Sequence, residues 1–190
     1  IKDYDKNLLE LIASKYELDY FTAELLSIKG FVVNEIESFL NPKIKNFLPN
    51  PSHFKDCDEG IKIIYKHILN NSKICIFGDY DVDGATSAGM MSLYLKKIKI
   101  NYSVYIPDRQ NDGYGPSIDT FKKIMKEDIK LIITLDCGTT SFDAIKFAKD
   151  NNVDVVVIDH HKSQEKLPIA DALINPNRLD ENDEFFYLCA

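Results

Sequence analysis

The sequence predicts an α/β fold: a three-layer parallel sheet of about five strands with helices on both faces, preceded by a small N-terminal helical region. Three observations carry this prediction. Short apolar, β-branched runs alternate with stretches at helical spacing from residue 74 onward. Three of those runs end alike, as Phe77-Gly78-Asp79, Thr134-Leu135-Asp136 and Val157-Ile158-Asp159. The strand, helix, strand alternation implies parallel strands joined by right-handed crossovers.

In chain order, residues from about 5 to 40 place Leu8, Leu9, Leu11 and Ile12, then Phe21, Leu25 and Leu26, at helical intervals. Two or three short helices are expected, one ended by Gly30 and another capped by Asn34 and running to Leu40 before Asn41-Pro42. Pro42, Pro49 and Pro51 punctuate a linker, which separates a lead-in, 1–50, from a domain, 51–190. A helix over Lys55 to Asn70 carries Ile61, Ile64, Tyr65 and Ile68 on one face. His53 and His67 read as structural.

Lys73 to Phe77 then reads as a buried strand, Ala85 to Lys97 as a helix packed on the sheet, and Ser103 to Ile106 as a second strand. A tight loop follows, Asp108-Arg109-Gln110-Asn111-Asp112-Gly113-Tyr114-Gly115-Pro116. Helix Ser117 to Lys126, strand Leu131 to Leu135, helix Phe142 to Asp150 and strand Val153 to Ile158 complete the alternation. Phe185 to Ala190 has an apolar helical pattern without a terminal cap, which predicts a truncated C-terminus.

Composition narrows the function classes. At 190 residues and 45% hydrophobic, the chain can bury one good core, and it has no apolar run near the length of a membrane span. Ile1 to Lys6 lacks the pattern of a signal peptide, so the cytoplasm is the expected location. The four cysteines are widely spread without a C-x-x-C pair and read as reduced, mostly buried thiols. A net charge of −7 argues against a generally basic nucleic-acid binder. Acids that converge on two divalent ions would reverse that locally and favour phosphate.

Asp79, Asp81 and Asp83 repel one another unless something neutralises them, and a bound divalent cation does so. A calcium loop of the EF-hand type is disfavoured, because its twelfth position would be Met90 rather than an acid. In a parallel sheet all strands exit at one edge, where ligands bind, so the acids after three strands meet there. Strands lie about 4.8 Å apart, and ions of two-metal sites about 3.5–4 Å apart.

His160 adds an imidazole, giving a donor set suited to manganese, zinc or iron, with magnesium also admissible. His161 contacts phosphate or passes a proton in this reading. Arg109 lies just beyond a strand end, where a ligand would sit. Thr86 and Ser87 read equally well as phosphate donors and as helix-capping residues. Paired divalent ions serve one chemistry well, hydrolysis of a phosphate ester or anhydride.

The combination Asp79/Asp81/Asp83, Asp136 and Asp159-His160-His161 resembles the DHH phosphoesterase superfamily, named for that last triplet. Phe77 to Gly84, the Arg109…Asp112-Gly113-Tyr114-Gly115 loop, Asp136-Cys137-Gly138 and the helical lead-in are similar to its branch of 5′-to-3′ single-strand DNA exonucleases. The resemblance implies metal ligation by Asp81, Asp83, Asp136 and His160, with Asp79 beside them. It implies catalytic roles for His161, facing the scissile phosphate, and Asp159, and a phosphate contact by Arg109.

It further implies two divalent ions, manganese before magnesium, single-stranded DNA as substrate in repair and recombination, and a helicase and a single-strand-binding protein as partners. Members acting on pyrophosphate, cyclic dinucleotides or short RNA commonly carry histidine where this chain has Phe77, four residues before the middle acid. They mark the alternative phosphoesterase reading, and a non-catalytic metal- or partner-binding module is a third. The family's fourth metal motif and its later domains are not in this sequence, so weak activity of the isolated chain is expected.

Overall fold

The computed structural model describes residues 6–181 and 183–190. Residues 1–5, where the sequence shows no leader pattern, lie outside the described residues. The chain divides into two compact units, Ile1–Pro49 and Asn50–Ala190.

The first unit holds α1 (Lys6–Tyr16), α2 (Tyr20–Lys29), α3 (Val33–Leu40) and the single-turn α4 (Ile44–Phe47). Leu9, Ile12, Ala23, Leu26 and Ile36 form its core, the apolar spacing of the first three helices meeting in one cluster. Asp19 caps α2 by accepting the Thr22 N–H, and Gly30 closes it at φ +84°. Asn34 is not the cap of α3. The cap is Val32, whose N–H donates to the Glu35 carboxylate, so an acid three residues on satisfies the free amide.

The second unit follows the predicted alternation: α5 (Cys57–Leu69), β1 (Ile74–Gly78), α6 (Val82–Lys97), β2 (Tyr102–Tyr105), α7 (Ile118–Met125), β3 (Leu131–Leu135), α8 (Phe142–Asp150), β4 (Asp154–Ile158) and β5 (Ala172–Ile174). The five described strands form one sheet in the order β2-β1-β3-β4-β5, and every pair is parallel. Strand alternation feeds two cores. Cys75, Phe77, Ile132, Val155 and Val157 pack with Phe121, Ile124, Ala144 and Ile145 of α7 and α8. Ile74, Ile76, Leu131, Ile133 and Val156 pack with Ala88 and Leu95 of α6 and with Ile63 and Ile64 of α5. These are the three layers, helices on both sheet faces.

One expectation holds here with an addition, and one fails for a physical reason. The buried residues of α5 are Cys57, Gly60 and His67, with Ile63 and Ile64 partly buried against the sheet core, while Ile61 and Tyr65 are exposed. Gly60 draws the helix onto β4 and β5, where a Cβ would stand 3.0 Å from Ile174 Cδ1. His67 is buried there, its Nε2 3.0 Å from Asp154 Oδ2. Ile61, Ile64, Tyr65 and Ile68 do share one face, lining an apolar groove with Met90, Met91 and Tyr94, and Ile64 also reaches the sheet core. The C-terminal pattern fails as an α-helix. Asp183–Phe185 makes one 3-10 turn, and the Phe185 ring packs against Phe54 and His53. Six residues are too few to nucleate a helix unaided.

Candidate metal centre

The sheet order reverses direction between β1 and β3, and that switch point is where open α/β sheets bind ligands. Register fixes which residues arrive there. Gly78 pairs with Leu135, Leu135 with Ile158, and Ile158 with Ile174. The ladder then runs one residue further. Asp79 N–H donates to Leu135 O, Asp136 N–H to Ile158 O, and Asp159 N–H to Ile174 O. Three aspartates on three adjacent strands therefore leave the same sheet edge at the same level.

All three are buried, with at most 2% of each residue exposed. A carboxylate taken out of water needs donors or cations. Asp159 has the donors: Oδ1 accepts from His160 N–H, His161 N–H and His161 Nδ1, and Oδ2 accepts the Thr139 N–H. Burial alone would raise its pKa, but the bonds from Thr139 and His161 outweigh it and hold the carboxyl below its usual range.

Asp136 has none. Neither of its oxygens nor Asp79 Oδ1 finds a hydrogen-bond partner among the described residues. His160 Nε2 stands 3.1 Å from Asp136 Oδ1. That contact lacks hydrogen-bond alignment, so it is proximity rather than a bond. Burial, reinforced by the neighbouring Asp81, pushes Asp136 up to about 7.

Asp81 is the N-cap of α6 and accepts the Gly84 N–H at 3.0 Å, which lowers its pKa. Its carboxylate joins those of Asp79 and Asp136, the three offering ligand atoms within 4.8 Å of one another. Asp136, His160 and His161 form a second such set, so Asp136 belongs to both. Orphaned oxygens at the overlap of two donor sets are what divalent ions require, and the oxygen-plus-imidazole chemistry fits manganese and also admits magnesium.

Asp83 enters neither set. It is the second residue of α6, whereas Asp81 is the cap that precedes the helix. Thr86 and Ser87 spend their hydroxyl protons inside the helix, on Val82 O and Asp83 O, and the capping role belongs to Asp81. Arg109 is exposed, its guanidinium over the Tyr80 ring at 5.6 Å.

Sequence reasoning missed Tyr114, whose hydroxyl lies 3.2 Å from His161 Nε2 and whose ring meets Tyr80 edge-on. Its place in Asp112-Gly113-Tyr114-Gly115 was the available signal. Asn175 and Thr139 were also missed, and neither has a sequence signal. Phe77, where histidine would mark the small-substrate members, is fully buried and packs on Tyr105 and Phe121, away from the site.

Metal uptake must ionise Asp136. Below about pH 7 that proton has to leave, and above it the carboxylate is already free. Manganese affinity is therefore expected to rise with pH and level off above about 7, with proton release on binding that shrinks over the same interval. Calorimetry in buffers of different ionisation enthalpy measures both; affinity independent of pH between about 5.5 and 8 would contradict the assignment of Asp136.

A model of the DHH family, N-terminal domain, matches residues 73–189. The chain is 34% identical over 175 residues to the single-stranded-DNA-specific exonuclease RecJ of Bacillus subtilis, covering 92% of this chain and 22% of that protein. It is 35% identical over 139 residues to RecJ of Haemophilus influenzae, 73% of this chain and 24% of the relative. The chain thus spans about a quarter of the length of these curated relatives.

Its fold superposes on a crystal structure of the exonuclease RecJ bound to manganese with a TM-score of 0.63 and 26% identity, covering 72% of this chain and 34% of that one. For RecJ from Thermus thermophilus in complex with Mn2+, the TM-score is 0.69 at 22% identity, over 93% of this chain and 24% of that one. The strand-end acids and the Asp-His-His turn lie inside the matched span, and on that match the chain belongs to the DHH family.

Proposed function

We propose that this chain carries the metal-binding part of a phosphodiesterase that removes nucleotides from the 5′ end of single-stranded DNA, in DNA repair and recombination in the cytoplasm. One observation carries the reading: Asp136, fully buried and without a hydrogen-bond partner on either oxygen, is shared by two donor sets at the switch point of a parallel sheet. The relatives named as single-stranded-DNA-specific exonucleases supply the substrate class. A structure of the exonuclease RecJ bound to manganese supplies the preferred ion.

In this reading Asp79, Asp81, Asp136 and His160 would hold the divalent ions, Asp136 being common to both donor sets. When bound, the ions polarise the phosphoryl group and lower the pKa of a water. The chain's own residues do the rest. Asp159 fixes the His161 ring through Nδ1, leaving Nε2, beside the Tyr114 hydroxyl, to hold or pass a proton near the scissile phosphate. Burial by itself would lower the His161 pKa; the Asp159 bond and charge, with Asp136 and Asp79, raise it instead. Arg109, held on Tyr80 beyond the sheet edge, is placed to meet a backbone phosphate. Asp83 remains outside this ligand set. A helicase and a single-strand-binding protein are proposed as partners.

Because the chain spans about a quarter of its relatives, we expect it to bind manganese but degrade DNA slowly. The test is release of mononucleotides from 5′-phosphorylated single strands with manganese, magnesium or chelator, against dinucleotide and pyrophosphate controls. Turnover confined to pyrophosphate, or undiminished by chelator, would overturn the proposal.

A further inference from the structure

The two consecutive histidines sit on a turn whose backbone is held from outside. Asn175 directly follows β5 and is fully buried. Its Nδ2 donates to the His161 carbonyl and to Thr139 Oγ1, each at 2.8 Å. Its Oδ1 accepts the Asn177 N–H at 2.7 Å, which sets the amide's orientation, since only the nitrogen end can serve the two acceptors. Asn177 Nδ2 donates in turn to the His160 carbonyl. Both histidine carbonyls are thus gripped by asparagine amides from one two-residue step. Thr139, held by Asn175 through its hydroxyl, gives its N–H to Asp159 Oδ2.

We propose that Asn175 and Asn177 are positioning residues for the His160-His161 pair, locking the turn so that the His161 ring stays on Asp159 and both imidazoles face Asp136. This rests on the metal-centre reading and deepens it. Apart from the bonds of His160 and His161 to Asp159 Oδ1, the turn has no secondary structure to hold it: β4 ends at Ile158, and residues 160–162 belong to no helix or strand. Loss of an amide donor leaves a carbonyl to seek water and frees the peptide to rotate. The ring then leaves its Nδ1–H bond.

The experiment uses the 190-residue chain with Asn177→Ala and Asn175→Asp, the second keeping shape and the Oδ1 acceptor while losing both donations. Asn151→Ala, which removes an amide bond to Phe147 O on α8, is the control for general loss of stability. Nitrogen-15 NMR of the metal-free chain reads which ring nitrogen of His161 carries hydrogen, and calorimetry reads manganese affinity.

The expected result is a fixed Nδ1–H pattern in the parent and the control, a mixed or reversed pattern in both asparagine variants, and manganese affinity weakened about 10- to 100-fold in them. A folded Asn177→Ala chain that keeps the parental ring pattern would overturn the proposal, whether or not Asn175→Asp folds. If the parent binds no manganese, the metal reading fails, while the ring pattern still decides the positioning role.

Discussion

Asp136→Asn is expected to abolish manganese binding while making the metal-free chain more stable at about pH 8. The two effects have one cause. Asp136 is fully buried, its oxygens lack hydrogen-bond partners, and its pKa is raised from 3.8 to about 7. A group whose folded pKa is raised stabilises fully below its unfolded pKa and loses that contribution as pH climbs through the folded value.

In the absence of metal, then, stability falls between about pH 4 and 7. At about 1.4 kcal/mol per pH unit, the ionised carboxylate costs on the order of 4 kcal/mol. Asparagine removes the charge and tolerates the left-handed backbone here, φ +62°, better than alanine would. We expect recovery of about 1–3 kcal/mol by urea unfolding without metal. Manganese should stabilise the parent and leave the variant unmoved. A variant that is less stable than the metal-free parent at about pH 8 and still binds manganese would show that Asp136 has a partner after all.

The second large effect comes from a position with no side chain. A Cβ on Gly84 would lie 2.4 Å from the Asp79 carbonyl oxygen and 2.6 Å from Asp79 C and N. Those atoms are the end of β1, which cannot move without breaking the ladder to β3. Gly84→Ala must therefore lift the start of α6 away from the strand, taking the Asp81 cap with it. Overpacking commonly costs about 1–3 kcal/mol, and backbone on both sides puts this case at or above the upper end.

Gly89→Ala in the same helix is the comparison. Nothing lies within 4 Å of its Cβ, and replacing a mid-helix glycine is worth about 0.5–1 kcal/mol of added stability. Unfolding and manganese titration of the pair should therefore diverge in sign for stability, with binding lost only in Gly84→Ala. Equal stability of the two variants would mean that the β1–α6 junction is not tight.

The acid-tipped strands were legible because a strand buried on both faces needs an unbroken apolar run, and such a run stops where the chain meets solvent at the sheet edge. Ile74 to Phe77, Leu131 to Leu135 and Val155 to Ile158 all show that stop. The fifth strand was counted but not located: Ala172-Leu173-Ile174 is too short to display any period. The shared face of Ile61, Ile64, Tyr65 and Ile68 on α5 was legible, but the approach of the helix to the sheet was not, because it is made by Gly60, which contributes no apolar signal. Asp79, Asp81 and Asp83 look equivalent along the chain, yet a helix begins between them and separates the last from the other two.

By itself the sequence determined the fold class, the three aspartates that close three strands, and the His160-His161 pair beside them, since all of these follow from local pattern. Only the tertiary structure decided that Asp159 is saturated by its own turn while Asp136 is left without donors. Equal aspartates differ in role through the donors around each: Asp159 takes three bonds from the turn that follows it and one from Thr139, just beyond the end of its neighbour strand β3. That neighbour is chosen by the order β2-β1-β3-β4-β5, in which adjacent strands are often far apart along the chain.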